Sequence, residues 1–223
     1  MVAVGDDTLP CPRESSPPIT TDFYSISLKK NVSGKLNILQ LSKNNNNYKK
    51  VSIIDHSTIF KGYEQYLPVF NSRAIESFIF KIPNLAEHFI YLNDDFFLIN
   101  TTQPQDFFQN KLPVLRGKWL NFNQKLFSKK TELKKTGHKA AQQKAASLAG
   151  FNKYYNFRHT PHPLRKSTFE NYFKNNKAIF IENIKYKFRS DNQLLLQGLI
   201  NHLEIKNKTS ILKKDLQLLY FRS

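Results

Sequence analysis

The 223 residues are enough for one sizeable domain, and a content of 40% hydrophobic and 13% aromatic residues excludes disorder along the whole chain. The 34 lysines and arginines outnumber the 17 acidic residues and give a formal net charge of +17, which favours an anionic partner. This charge does not choose among nucleic acid, anionic lipid, an acidic polysaccharide and nucleotide phosphates. A single cysteine, Cys11, excludes an intrachain disulfide and a cysteine-based zinc site.

The composition divides the chain into three parts. Residues 1–18 are rich in proline and polar side chains and are interpreted as an unstructured lead, residues 19–205 as the folded domain, and residues 206–223 as a basic tail. No run of about 18 uncharged apolar residues is present, so no membrane-spanning helix is expected. The start of the chain lacks a basic stretch followed by an apolar one, so no secretory signal is predicted. These features favour a cytoplasmic location.

The first elements lead up to an apolar strand. Residues 51–55 form a short strand candidate, and Asn71 or Ser72 can cap a helix over residues 73–81 whose isoleucine and phenylalanine spacing predicts a buried face. Glu76 lies in the first turns of this helix, where a carboxylate complements the helix dipole. Residues 89–100, FIYLNDDFFLIN, then read as a buried strand that is interrupted by polar side chains.

Two adjacent carboxylates, Asp94 and Asp95, interrupt this apolar run. Burying them without partners is costly, so they are better placed at the carboxyl end of a central strand, where α/β sheets open their ligand clefts. There they could hold Mg²⁺, which prefers oxygen ligands. The alternative is a surface turn between two short strands, with Asn93 and Asp94 as ordinary turn residues.

The second half of the chain predicts helices separated by an extended segment. Residues 139–150 are rich in alanine and predict a helix, and residues 168–175 predict another. Between them, His159 and His162 lie in a proline-bounded extended stretch, where a pair of histidines alone is a weak indication of a metal site. Arg189 precedes a further helix, for which Ser190 or Asp191 is the expected cap.

Four motifs in this order resemble the Stealth family of phosphotransferases. They are Leu-Pro-x-Phe-Asn-Ser at 67–72, Tyr-Leu-Asn-Asp-Asp at 91–95, Pro-His at 161–162 and Arg-x-x-x-Gln at 189–193. Together they resemble the second and third conserved regions of the family. The first and fourth regions have no counterpart, because the only tryptophan is Trp119 and the only cysteine is Cys11. The sequence is therefore similar to the central part of a Stealth protein.

The resemblance implies transfer of a sugar 1-phosphate from a nucleotide sugar, typically a UDP-hexose, to a hydroxyl of an acceptor sugar in capsular or exopolysaccharide synthesis. It implies Mg²⁺ or Mn²⁺ on Asp94 and Asp95, with Asp94 also counted as catalytic. His162 becomes the general base and Arg189 the phosphate clamp. The remaining implied substrate-binding residues are Asn71, Arg73, Asn93 and His159.

The expected fold is a single α/β domain with a mainly parallel, Rossmann-like sheet, flanking helices and residues 89–92 as a central strand. The expected partners are a nucleotide-sugar donor and a polysaccharide acceptor, with peripheral contact of the basic surface with the anionic inner membrane and no nucleic acid. Two alternatives stay open. One is a non-catalytic protein that binds polyanions through its lysines and arginines, and the other is an inactive, truncated Stealth remnant.

Overall fold

The computed structural model describes residues 54–93, 102–122, 137–158 and 160–215, and it also places the strands β1 (Val2–Gly5), β2 (Leu28–Lys30) and β3 (Leu36–Ile38). The helices are α1 (His56–Ile59), α2 (Ser72–Glu76), α3 (His138–Leu148), α4 (Lys166–Asn175), α5 (Lys177–Ile184) and α6 (Leu196–Lys206). The remaining strands are β4 (His88–Leu92), β5 (Phe108–Gln109), β6 (Leu112–Arg116), β7 (Lys118–Asn121), β8 (Lys153–Asn156), β9 (His162–Arg165) and β10 (Ile211–Lys213). Short 3₁₀ turns follow at Glu64–Tyr66, Ile79–Lys81 and Pro104–Asp106.

Strand β4 is the middle strand of a three-stranded sheet in the order β1-β4-β9, as the apolar run predicts. Its pairings with β1 and β9 are both antiparallel, and Tyr91 lies directly opposite His162 in the register with β9. Strand β9 contains Pro163, which has no backbone N–H to donate to a neighbouring strand. Proline is tolerated here because β9 lies at the edge of the sheet. The segment that carries His162 is extended, as predicted.

The mixture of helices and sheets is confirmed, but the mainly parallel, Rossmann-like sheet is not what the described strands form. Among them, only β6 and β10 pair in parallel, and the other pairings are antiparallel. Residues 89–91 of β4 are buried, as the apolar run predicts. Burial of a strand is decided by the layers above and below it, and it does not fix the direction of its neighbours.

Helix boundaries differ from the sequence prediction at two places. Asn71 caps α2 by accepting a hydrogen bond from Arg73 N at 3.1 Å, but α2 ends at Glu76 and gives way to the 3₁₀ turn Ile79–Lys81. Helix α6 begins only at Leu196, without a side-chain cap, because Ser190 accepts from Asn192 N in a preceding turn. Within the described residues, none of the helices is both long and apolar enough to cross a membrane.

The main core lies between the β1-β4-β9 sheet and the helices. Phe89 and Leu164 from the sheet pack against aromatic residues of α4 and α5 and against Leu199 and Ile200 of α6. Phe78 stands at its centre with rings of Phe60 and Phe180 at 3.8 and 5.0 Å between centroids. A smaller cluster of Leu115, Tyr155 and Phe157 joins β6 and β8. Helix α6 therefore carries a buried face that supports β9.

His202 of α6 is fully buried and uses both ring nitrogens inside the protein. Its Nδ1 donates to the Gly198 carbonyl at 2.6 Å, and its Nε2 accepts from Tyr155 N at 2.9 Å. The acceptor role of Nε2 requires a neutral ring, and burial lowers the pKa of His202 from 6.5 to about 4. His202 thus joins helix α6 to strand β8, and protonation of its ring would break the hydrogen bond from Tyr155 N.

We expect the unfolding free energy to fall as the pH is lowered from 6.5 to about 4, because the unfolded state binds a proton at His202 that the folded state excludes. Because the pKa of His202 is lowered in the folded state, its full contribution to the unfolding free energy is present above pH 6.5. Between pH 6.5 and about 4 this contribution falls by about 3 kcal/mol. Urea denaturation at pH 7.5 and pH 4.5 measures it. His202→Asn should flatten the difference, whereas His88→Asn, which removes a half-buried imidazole near the surface, should not. An equal pH dependence in the wild type and His202→Asn would contradict the assignment.

Candidate active site

The candidate site begins where β4 and β9 lie side by side. The ring of His162 is buried, stacks on Tyr91 with 6.3 Å between centroids, and meets the edge of Phe157 at 6.2 Å. Asn201 of α6 places its Nδ2 at 3.4 Å from His162 Nδ1. The imidazole is therefore held in one orientation by two aromatic rings and an amide, which is the arrangement a proton-transferring histidine requires.

Tyr91 connects this strand pair to helix α2. Its hydroxyl donates to Glu76 Oε1 at 2.9 Å and also makes a short hydrogen bond to Asn93 Oδ1. Asn93 is the last described residue of the strand segment and is partly buried. Because a phenol carries one proton, the Tyr91 hydroxyl can donate to only one of these two oxygens at a time.

Glu76 is a buried carboxyl that the sequence analysis treated only as a complement to the helix dipole. Burial raises its pKa, and the hydrogen bonds from Tyr91 and Gln197 and the charges of Arg73 and Arg189 oppose the rise only in part. Its Oε2 has no hydrogen-bond partner among the described residues and borders a small cavity that Leu164 and Phe169 also line. The signal in the sequence was its position three residues before buried Ile79, on the apolar side of the helix.

Two arginines converge on the same end of α2. Arg73 is buried and its Nη1 lies 3.4 Å from the Ser190 carbonyl, while Arg189 is exposed and donates from Nη2 to Ser72 Oγ at 3.1 Å. Burial and the nearby positive charge of Arg189 lower the pKa of Arg73. The charges of Glu76 and Asp191 oppose this lowering only in part. Two like charges held together in this way favour an anion between them.

Lys144 adds a third cation that the sequence analysis did not single out. It projects from α3 and its Nζ makes a short hydrogen bond to the carbonyl of Asp191, in the segment that carries Arg189 and whose Ser190 carbonyl contacts Arg73. Burial lowers its pKa, and the charge of Arg73 contributes in the same direction. In sequence it is one lysine of an alanine-rich helix, and nothing in the pattern distinguishes it from its neighbours.

Neutral amides hold these cations in place. Asn71 Nδ2 donates to the carbonyls of Tyr186 and Phe188 at 3.2 and 3.1 Å and to Gln193 Oε1 at 2.8 Å. Gln193 Nε2 in turn donates to the Asn183 carbonyl at 2.7 Å, and Asn183 Nδ2 donates to Ser77 Oγ at 2.8 Å. We call Asn71, Ser77, Asn183 and Gln193 the amide network. It joins α2 to the segment that carries Arg189.

The structure therefore brings most of the predicted residues to one region. Asn71, Arg73 and Arg189 meet at the start of α2, and Glu76 connects them through Tyr91 to Asn93 and the strand pair with His162. The amide of Asn71 is occupied as a helix cap and in the amide network, so its contact with a substrate stays a prediction.

Asp94, Asp95 and His159 lie outside the described residues. The described residues contain no group of three or more His, Cys, Asp or Glu side chains placed to hold a metal. Asp94 and Asp95 nevertheless follow directly on Asn93 at the carboxyl end of β4, and their carboxylates are the type of donor that Mg²⁺ and Mn²⁺ accept.

Comparison with known proteins identifies both a conserved region and full-length relatives. Residues 40–115 match the model described as Stealth protein CR2, conserved region 2. The chain is 35% identical over 156 residues to the capsular polysaccharide phosphotransferase cps1A of Actinobacillus pleuropneumoniae, which covers 65% of this chain and 40% of that protein. The capsular polysaccharide phosphotransferase LcbA of Aeromonas hydrophila is 36% identical over 160 residues, covering 66% of this chain and 41% of its own length.

A shorter match with higher identity is the exopolysaccharide phosphotransferase cps2G of Lactiplantibacillus plantarum, which is 56% identical over 59 residues, or 26% of this chain and 17% of that protein. The chain thus spans about 40% of the length of the first two capsular relatives.

Proposed function

The chain belongs to the Stealth protein family, and from this we propose that it transfers a sugar 1-phosphate from a nucleotide sugar of the UDP-hexose type to a hydroxyl of an acceptor sugar. The relatives are named as phosphotransferases of capsular polysaccharide and exopolysaccharide, which supports a role in the synthesis of a surface polysaccharide. The main structural support is the convergence of Arg73 and Arg189 beside the buried carboxyl of Glu76.

In the proposed reaction the acceptor hydroxyl oxygen attacks the phosphorus that carries the sugar. A new phosphorus–oxygen bond forms, the bond to the nucleoside monophosphate breaks, and the hydroxyl proton passes to His162. Charge builds up on the oxygens around phosphorus, so catalysis depends mainly on positioning and on electrostatic stabilisation. Arg189 and Arg73 would supply this stabilisation, with Arg189 donating two hydrogen bonds to phosphate.

The remaining roles concern the donor. Asp94 and Asp95 would hold Mg²⁺ or Mn²⁺, which neutralises charge on phosphate oxygens when it is bound. Asn93 would orient the donor beside them, and Asn71 and His159 would border its pocket. Glu76 would keep the hydroxyl of Tyr91, and through it Asn93, in a fixed direction.

The donor is cytoplasmic in this proposal, and the acceptor is a growing polysaccharide. We place the chain in the cytoplasm, where its net charge of +17 would favour peripheral contact with the anionic inner face of the membrane. A polyanion binder without catalytic activity would lose affinity steeply with salt, whereas the proposed site should require both a metal and a nucleotide sugar.

The direct test is to incubate the purified chain with a panel of nucleotide sugars, Mg²⁺ and capsule oligosaccharides and to follow the nucleotide product. Release of nucleoside monophosphate that depends on metal and acceptor would establish the transfer. Release of nucleoside diphosphate would mean ordinary glycosyl transfer and would refute the proposal. If a folded chain gives no product, the same assay on a protein extended to the length of its relatives decides whether this part of the family sequence is active alone.

Asp94→Asn is expected to abolish monophosphate release, because it removes the charge of one carboxylate that we assign to the metal while preserving its size. Asp106→Asn, in the 3₁₀ turn Pro104–Asp106, is the comparison variant, because we assign neither metal nor substrate to that carboxylate. The rate with saturating Mg²⁺ or Mn²⁺ measures the effect, and a circular dichroism melt checks folding. Turnover near that of the wild type in Asp94→Asn would refute the metal assignment.

A further inference from the structure

Two exposed aromatic rings stack on each other next to the candidate site. Within the described residues, the large apolar side chains that are notably exposed are Phe70 at 48%, Leu148 at 44%, Phe188 at 66% and Leu212 at 42%. Phe70 and Phe188 come from segments far apart in sequence, yet their centroids are 5.7 Å apart and their planes differ by only 19°. We call this pair the aromatic platform. Paired aromatic exposure of this kind is typical of a binding surface.

The backbone beneath the aromatic platform is fixed on both sides. Phe70 N donates to the Lys187 carbonyl at 2.9 Å, and Asn71 Nδ2 donates to the Phe188 carbonyl at 3.1 Å. Asn71 is itself held by Gln193 of the amide network. The two rings are therefore presented by a rigid frame, so a ligand that stacks on them does not have to order the backbone first.

The aromatic platform borders the cationic part of the site. Lys187 places its Nζ 5.6 Å from the centre of the Phe70 ring, and Arg189 follows Phe188 directly and reaches Ser72. Arg73 directly follows Ser72 in α2, and the charge of Arg189 lowers its pKa. This surface thus offers a flat apolar face beside positive charges. A ligand that combines a flat ring with phosphate groups is complementary to both.

We propose that the aromatic platform binds the base of the nucleotide donor, with its phosphates directed to Arg189. This inference rests on the proposed function, since it assigns a binding subsite to the same donor. Stacking does not depend on which base is present, because every base has a π-face. The platform therefore provides affinity for nucleotides in general, and it leaves the choice of base to polar groups elsewhere in the site.

The test is calorimetric titration of the whole 223-residue chain with UDP and with pyrophosphate. Phe188→Ala should weaken the binding of UDP by about 5- to 150-fold, the range found for loss of base stacking, while pyrophosphate affinity stays the same. Phe188→Tyr keeps a flat ring and should restore UDP binding. Leu212→Ala is the matched control, because it removes an exposed apolar side chain on strand β10, which pairs with β6.

Several distinct results would overturn the inference. They are equal UDP affinity in Phe188→Ala and the wild type, equal affinity of the wild type for UDP and pyrophosphate, and failure of the wild type to bind UDP, ADP, CDP or GDP. Weakening only of an acceptor oligosaccharide would assign the rings to the acceptor instead, which also overturns it. If UDP binding depends on the Phe188 ring but no sugar phosphate is transferred, the proposed reaction is refuted and the aromatic platform is retained as a nucleotide site. If transfer occurs but UDP binding does not depend on the ring, the proposed reaction is retained and the platform inference is refuted.

Discussion

Arg165→Met is expected to lower the unfolding free energy by about 3–5 kcal/mol, the range measured when one partner of a buried ion pair is removed. Glu204 is completely buried and accepts from Arg165 Nε at 2.9 Å. It makes further short hydrogen bonds to Arg165 Nη2 and to the hydroxyls of Thr168 and Thr209. Without the guanidinium, the carboxylate keeps only two neutral donors in a site that excludes water. Urea denaturation at pH 7 measures the loss.

The companion variant Arg165→Met/Glu204→Gln should recover much of this stability, because the amide accepts from one threonine hydroxyl through Oε1, donates to the other through Nε2 and leaves no uncompensated charge. Lys185→Met is the surface control, since the ion pair of Lys185 with Glu182 is open to solvent and should change the midpoint little. A loss in Arg165→Met no larger than in this control would show that Glu204 is not a buried, charged partner. The pair matters for the site because it joins β9, which carries His162, to α6, which carries Asn201.

His162→Gln is expected to reduce the rate of phosphate transfer by about 10²- to 10⁴-fold, the usual contribution of a general base. Glutamine keeps a polar group near Asn201 but cannot take up the acceptor proton near neutral pH. The stack on Tyr91 is lost as well, so the variant is first compared with the wild type by thermal melting. Single-turnover release of nucleoside monophosphate then measures the chemical step.

The matched control is Phe157→Leu, which alters the ring packed edge-on against His162 without removing the imidazole. If packing alone explained the effect of His162→Gln, both variants would slow transfer to the same degree. A base role predicts that only His162→Gln abolishes the rise of the rate with pH that accompanies deprotonation of an imidazole. A folded His162→Gln variant within a few fold of the wild-type rate would refute the role.

Local patterns in the sequence predicted much of the backbone. The apolar run before Asn93 predicted the central strand, alanine content predicted α3, and the Asn71 cap is present as expected. These features depend on residues near in sequence. The direction of the strands around β4 depends on contacts between distant segments, and the predicted parallel arrangement is not formed by β1 and β9. Ser190, the expected cap of α6, is instead engaged in the turn that precedes it.

In the candidate site, too, the sequence predicts individual residues but not the contacts between distant segments. Arg73 and Arg189 could be selected as phosphate ligands from their motifs, but their proximity arises from the amide network and is visible only in three dimensions. Glu76 was interpreted only as a complement to the helix dipole, because a position in the first turns gives an ordinary explanation for a carboxylate. Its perturbed pKa comes from burial against Tyr91 and Gln197, which the helical period alone does not reveal.

The amide network has a consequence for how the site could change over time. Asn71, Asn183 and Gln193 carry no charge, so the frame that holds the cations does not neutralise them. Lys187 and Arg189 are exposed at the rim, so replacing either would alter what the surface attracts at little expected cost to the unfolding free energy. Single substitutions at the rim can therefore change which ligand the surface prefers during evolution, while the fold around the amide network is retained.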